Sequence, residues 1–479
     1  MIKRIFFFLA IGLFLTACDD EIVTEKDLNR YVNRWIHNTM SAVYYWNEDL
    51  PALKRSYNSP SDYFYTLLSK TDRFSDIHPN YQEILNRLNG VRFTDVGFDF
   101  QLYRENAGSN NVFGVVLYIK PGTSVESMGL QRGDIFTKIN GAQLNLNNYS
   151  DLISSFYNNN PDVMVTFAEN SNGTMVDKIN MNIVKAYHYK EDPVYLDTIY
   201  NIQQKKIGYL VYNFFASDPG DDTKSYDLKL NNLIAGFSQQ HITDLIVDLR
   251  YNSGGLMASA IHFASMLVPG LTSDKVFAHT EYNRHYTRYF NSDEFKKKYN
   301  FNPFTSYFTT KIDVKSSTTQ TYPIQNVGSR LQKIYFLTGK STASASEMVI
   351  NGLKPFISCE LIGDTTVGKN VGSTLINDEE NEQNNWAIMP IILRYSNKDR
   401  QSEFTNGFAP NHRIQENYAY PLGDIREPLL AKAIELIAGI RPTAPEVGKI
   451  PVKKVTVSGI NIEYMHRGLV IDPDKFPSN

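Results

Sequence analysis

The sequence predicts an α/β protein of several domains: a small helical N-terminal unit, an α+β unit of short strands and glycine turns, and a large unit in which strands and helices alternate. Three observations predict it. The chain has 479 residues, enough for about three domains of ~150 residues, each with its own core. Hydrophobic residues make up 42% and charged residues 21%, the balance of a globular chain and not of a disordered or fibrous one. The apolar pattern also changes near residues 92 and 200, first from helical spacing to strand runs, then to a β-then-α order.

Composition also excludes functions. A net charge of −3 leaves no broad basic surface for nucleic acid. The 30 Tyr and 28 Phe are scattered along the chain, as packing residues are, and form no nucleotide-stacking platform. The two cysteines, Cys18 and Cys359, exclude a disulfide framework and every multi-cysteine zinc pattern. Nine histidines contain no His-Glu-x-x-His, so neither a metal nor a cofactor is expected.

Residues 1–17 read as an export signal. Lys3 and Arg4 precede an apolar run, Ile5 to Leu15, which falls short of the ~20 residues a membrane span needs. The Leu15-Thr16-Ala17-Cys18 tetrad resembles the lipobox of bacterial lipoproteins. That resemblance implies lipidation of Cys18 and anchoring to a bacterial membrane, on its periplasmic face or at the cell surface. Asp19, Asp20 and Glu21 resemble the acidic tag of surface lipoproteins. Cys359 then has no partner and reads as a small core residue on a strand.

Residues 18–91 form the helical unit. Val32, Trp35, Ile36, Met40, Val43 and Tyr44 recur near helical spacing until Pro51, and Ser59-Pro60-Ser61 starts a second helix over Asp62 to Leu68. This unit carries no chemical signature and reads as scaffold. In residues 92–185, Val112 to Ile119 is a strand, Val125 to Met128 a short helix, and Gly133 to Gly141 a turn, strand and Asn-Gly hairpin signal.

Residues 200–440 are the large unit. Strands are expected at Ile207 to Asn213, Leu245 to Val247, Lys333 to Leu337, Glu360 to Ile362 and Ala387 to Leu393. Tyr226, Leu230, Leu233, Ile234 and Phe237 mark an amphipathic helix. Irregular inserts are expected at 281–330 and at Asn377 to Asn385, and the tail 441–479 contains a possible strand at Val455 to Ile462.

Three segments of the large unit can carry chemistry. Ser341 to Glu347 is a run of small residues between a strand and a helix, with Ser344 and Glu347 spaced as a capping box. The free N–H groups of a helix start there can hold an oxyanion, although Ser344 can equally be a plain cap. Gly363 to Lys369 puts a lysine on a glycine-flanked loop after a strand. Burial lowers a lysine pKa from its usual ~10.4, and a neutral lysine takes the proton of a serine hydroxyl. The same stretch is most of a phosphate-binding loop, but Asn370 stands where Mg²⁺ needs Ser or Thr. Asp248 to Gly255 ends a strand with two glycines that allow a ligand to approach the backbone closely.

Taken together, Asp-Leu-Arg-Tyr-Asn-Ser-Gly-Gly at 248–255, Ser-Ala-Ser-Glu at 344–347 and Gly-Asp-Thr-Thr-Val-Gly-Lys at 363–369 resemble the carboxyl-terminal processing (tail-specific) serine protease family, over residues 92–440. The resemblance implies a crotonase-like α/β catalytic domain, Ser344 as nucleophile and Lys369 as general base. It also implies an oxyanion hole from the Ala345 N–H with one N–H of Gly254 or Gly255. Gly407 to Asn411 resembles the family's Gly-x-x-Pro-Asp turn, with Asn for Asp. Several members carry a Gln four residues after the lysine; Ser373 stands there.

Gly129-Leu130 followed by Gly133-Asp134-Ile135 and Ile139-Asn140-Gly141 resembles a PDZ domain. This implies a peptide partner whose C-terminal end lies at a glycine loop, Gly97, Phe98, Asp99 and Phe100, with Asp99 replacing a commonly small residue. The expected function is that of a lipid-anchored serine endopeptidase acting on unstructured or C-terminal polypeptide segments. The competing expectation is a catalytically inactive lipoprotein that binds peptides on the same folds. The sequence leaves the oligomeric state open.

Overall fold

A computed structural model describes residues 24–442, apart from 107, 172, 173, 300 and 316. The export signal, Cys18 and the possible strand at Val455 to Ile462 lie outside the described residues.

The N-terminal unit starts with the helix Glu25–Val43, entered at Thr24, whose side chain accepts the Asp27 N–H. Its Val32, Ile36 and Met40 are buried against Tyr63 and Phe64 of the helix Pro60–Thr66, which has Ser59 as N-cap and proline in its first turn. A third helix, Tyr81–Leu88, follows. The unit is not purely helical as expected. The strand Asp76–His78 pairs antiparallel with Ala387–Met389, far along the chain. Three residues are too few for a period-2 pattern to register in sequence.

The middle unit is one antiparallel sheet in the order Phe98–Arg104, Val112–Ile119, Ile135–Ile139, Asp162–Ser171, Thr174–Val184, with Ala142–Gln143 beside Ile135–Ile139. Alternate residues serve two cores. Phe98, Phe100, Val116, Phe136 and Phe167 fill the unit's own interior. Phe113, Val115, Leu117 and Ile135 face the other way and join the core of the large unit. Gly114 permits the inner packing, since a Cβ there would lie 2.0 Å from the Phe136 ring.

The large unit centres on a six-stranded sheet ordered Val194–Ile202, Lys205–Tyr212, Asp244–Asp248, Lys333–Thr338, Ser358–Gly363, His412–Arg413. Only its first pair is antiparallel. Both faces are covered, which is why its strands read as unbroken apolar runs. Leu210, Val247 and Phe336 pack on one side with the helices Ser225–Gln239, Met257–Leu267 and Ala345–Leu353. Val211, Ile246 and Leu337 meet the helix Pro428–Ala438 and the middle unit on the other.

Two expectations fail here for physical reasons. Ala387 to Leu393 is not one strand, because Pro390 has no N–H to give a ladder. Ala387–Met389 pairs with the N-terminal unit, and Ile391–Asn397 enters a four-stranded sheet with Thr305–Tyr307, Val276–Tyr282 and Val371–Ser373. Nor is the 281–330 insert irregular. It holds the helices Arg284–Phe290 and Asp293–Lys298 and the hairpin Lys311–Lys315 with Thr319–Pro323. Its aromatics form a ring cluster (Tyr282, Phe290, Phe295 and Phe304) whose spacing has no simple period. The Asn283 Nδ2 donates to the Ala42 and Tyr44 carbonyls at 3.0 and 2.9 Å, which ties the insert to the first helix.

An ionic network joins the middle and large units. Arg250 contacts Asp248, Glu427 and Glu416, and Arg132 of the middle unit reaches the same Glu416 oxygen at 2.7 Å. Burial alone would push the Glu416 carboxyl up, but Arg132 and Arg250 hold it down at about 2. Its contribution to stability is therefore present above the ordinary carboxylate range and lost as pH falls from about 4.5 towards 2. Urea midpoints measured across that window should fall in the parent and show a flatter slope in Glu416→Gln. Equal slopes would remove this network from the acid response.

Candidate active site

Ser344 sits at the N-cap of Ala345–Leu353 with φ 59° and ψ −113°, a left-handed backbone that costs a serine about 1–3 kcal/mol. The surroundings impose it. The Ala343 N–H and the Ser346 Oγ both donate to the Asn252 carbonyl, each at 3.1 Å, so the turn is fastened on both sides of Ser344 to the 248–255 loop. The Ser344 Oγ has no hydrogen-bond partner, although Ser344 and Glu347 stand in the capping-box arrangement that their spacing predicts. Ser344 and Ala345 are wholly buried.

The Glu347 carboxylate organises the rest. Its Oε2 accepts the Ser344 N–H at 2.9 Å and the Lys369 N–H at 2.8 Å. Its Oε1 accepts the Gly368 N–H at 2.7 Å and the Thr366 hydroxyl at 2.5 Å. Burial pushes this carboxyl up, and the four donors oppose the shift. From the opposite side the Tyr395 hydroxyl, on Ile391–Asn397, shares its proton between the Ser344 and Lys369 carbonyls at 3.1 and 2.9 Å. The backbones of Ser344 and Lys369 are thus held together twice.

Lys369 is 6% exposed. Burial lowers its amine to about 8, against the opposing charges of Asp72, Asp76 and Glu347. About a tenth of it is then neutral at pH 7, a usable fraction for a base. Its loop turns at Gly368, with φ 87°, where a Cβ would lie 2.3 Å from the Thr405 carbonyl.

The glycine pair resolves into separate duties. The Gly254 N–H donates to the Asn252 Oδ1 at 2.9 Å and is not free for an oxyanion. Gly255 has φ 137°, and its Cβ would lie 2.0 Å from the Phe215 carbonyl, so no other residue fits there. The Ala345 N–H opens a helix and has no intrahelical acceptor. Ala345 and Gly255 are the candidate donors. Ser373 is buried on Val371–Ser373. Asn411 does structural work, its Oδ1 accepting the Leu361 N–H at 2.9 Å. Cys359 lies on Ser358–Gly363, where burial pushes its thiol up to about 12.

Of the four residues expected to meet a peptide end, two turn their side chains inward and one has its backbone donor engaged. The Phe98 and Phe100 side chains are in the core of the middle unit. The Gly97 N–H donates to the Asp95 Oδ1 at 2.8 Å, and the Lys120 Nζ lies 2.7 Å from the Asp95 Oδ2. An internal carboxylate therefore occupies the Gly97 donor. Asp99 is pushed up by burial. Among the described residues no group of His, Cys, Asp and Glu is arranged to hold a metal, and no helix is long and apolar enough to cross a membrane.

Sequence reading missed Tyr395 and the 72–76 turn of the N-terminal unit. The latter reaches the Lys369 loop through Arg73 and Phe74. Neither carries a local pattern, because their meaning comes only from the fold.

A buried serine on a strained strand-to-helix turn and a buried lysine with a lowered pKa, their backbones held together by Glu347 and Tyr395, are groups that hydrolytic chemistry can use. The profile of Peptidase family S41 matches residues 206–414, and that of the Peptidase S41 N-terminal domain matches residues 31–75. The chain belongs to peptidase family S41, and its substrates are polypeptides. A protein from Bacteroides fragilis assigned to the S41 proteases shares the fold at 23% identity and a TM-score of 0.64, over 85% of this chain and 98% of that one. A photosystem II D1 C-terminal processing protease aligns over 85% of this chain and 98% of its own at 17% identity, with a TM-score of 0.47. No curated protein matches.

The depressed lysine makes a stability prediction. A shift from 10.5 to about 8 costs the folded state about 3 kcal/mol at neutral pH. Stability should rise with pH between about 8 and 10.5 in the parent. Lys369→Met should be more stable by that order at pH 7 and flat across the window, as read from denaturant midpoints. A less stable Lys369→Met variant would mean that the amine is not under strain.

Proposed function

We propose that this chain is an exported, lipid-anchored serine endopeptidase that cleaves polypeptides with Ser344 as nucleophile and Lys369 as general base. The observation that carries the reading is the double tie, through Glu347 and Tyr395, between the backbone of Ser344, whose hydroxyl has no partner, and the backbone of Lys369, whose amine is desolvated. Neutral Lys369 takes the Ser344 proton as the Oγ attacks the scissile carbonyl. The oxyanion is held by the N–H groups of Ala345 and Gly255. The Lys369 ammonium then protonates the leaving amine. The regenerated amine activates the water that releases the acyl-enzyme.

The large unit acts as a crotonase-like catalytic domain, and the 92–185 unit as a PDZ module. Its edge strand, Phe98–Arg104, accepts an extended chain by strand addition. A peptide C-terminus must displace Asp95 from the Gly97 N–H, which makes the module a weak sensor of chain ends and not an anchor. Lipid on Cys18 fixes the enzyme to the envelope membrane.

The test is cleavage of casein by soluble protein beginning at Asp19, beside Ser344→Ala, Lys369→Ala and Lys369→Arg. The parent alone should cleave, with kcat/KM rising through about pH 8. Lys369→Arg should be inactive because a guanidinium does not give up its proton. Equal cleavage by all four proteins would discard the dyad. In the full-length protein, Cys18→Ser should move the enzyme from the membrane to the soluble fraction; retention on the membrane would remove the lipid anchor.

A further inference from the structure

The N-terminal unit is more than a scaffold where it meets the catalytic loop. The Arg73 Nη2 donates to the carbonyls of Gly368 and Thr405 at 3.2 and 3.1 Å and reaches that of Val367 at 3.5 Å. One guanidinium thus bridges the two residues before Lys369 and the facing 402–407 turn. The Phe74 ring centroid is 5.2 Å from the Lys369 Nζ. The turn is itself rigid. Asp72 Oδ1 accepts the N–H groups of Phe74 and Ser75 at 2.8 and 2.9 Å, its Oδ2 accepts the Tyr44 hydroxyl at 2.8 Å, and the Ser75 Oγ accepts the Ile391 N–H at 2.8 Å. Asp76 Oδ1 is held by the Tyr65 hydroxyl and the Ile77 N–H, both at 2.9 Å.

We propose that residues 72–76 are a positioning element of the catalytic site: Phe74 keeps water from the Lys369 amine, Arg73 fixes the loop that carries it, and Asp72 and Asp76 face it with negative charge. The inference rests on Lys369 being the base. The charged groups facing that amine are Asp72 and Asp76 from this turn and Glu347 from the helix Ala345–Leu353. All three favour its protonated form, and burial outweighs them. The aromatic face also attracts an ammonium. At 5.2 Å, near the ~6 Å limit of such contacts, that attraction works against the exclusion of water and is weakened by distance. Exclusion of water is the larger effect.

The two contributions have opposite signs, and the pH profile of kcat/KM separates them. Phe74→Ala admits water, so the acid-limb midpoint should move up by about one unit, with about a tenfold loss at pH 7 that is recovered at pH 10. Phe74→Leu keeps water out and should hold the midpoint at or slightly below that of the parent. Asp76→Asn removes a negative neighbour and should move the midpoint down. A Phe74→Ala variant that loses the same fraction of activity at every pH has lost structure only, and the inference falls. It also falls if no midpoint moves. Should Phe74→Ala not fold, Asp76→Asn decides alone, a downward shift supporting the proposal and an unmoved midpoint overturning it. Lys369→Ala separates the two layers. If it still cleaves, the dyad and this inference fail together. If it is dead while the turn variants titrate like the parent, only this inference fails.

Discussion

Four hydrogen bonds converge on the Glu347 carboxylate, and through them one buried charge fixes the Ser344 turn against the Lys369 loop. A carboxylate withdrawn from water is expensive unless every lone pair is used. The nearby elements are arranged to supply donors: the left-handed Ser344 points its N–H inward, and the turn at Gly368 delivers two successive N–H groups. Backbone strain at Ser344 and the glycine at 368 are therefore two sides of one constraint. Remove the carboxylate and both turns lose the reason for their geometry.

The same economy governs the wider fold. The 248–255 loop carries Asn252, which binds the Ser344 turn, and begins with Asp248 and Arg250, which anchor the network shared with Arg132. The middle unit accordingly touches the catalytic unit through the very loop that presents Gly255. Its sheet also shares a core with the six-stranded sheet, so the two units pack over an apolar interface with an ionic seam at its edge.

Much of this was legible in sequence, and the reason is locality. Ser344, Lys369 and the glycine pair lie in short segments whose order resembles one protease family, and the resemblance named them; their residue types alone left Ser344 open as a plain cap. The central strands were legible because burial on both faces makes them unbroken apolar runs. What was missed depends on distance. Pro390 divides one apparent strand between two sheets, Tyr395 acts only because its strand passes beneath both turns, and Phe74 is an ordinary aromatic until folding brings it to Lys369. The choice between Gly254 and Gly255 likewise turns on the Asn252 side chain, which no spacing rule includes.

The strand Asp76–His78 and the arginine before it are separated from their partners by most of the described residues. Ser75 waits for Ile391, 316 residues later, and Arg73 for Thr405, 332 residues later. A ribosome releases these segments well apart in time, and contacts of such separation form late because a long loop must close first. A nascent chain that has already made Ser344 and Lys369 still lacks the finished pocket around the amine. The surroundings of that amine are therefore among the last parts of the fold to close.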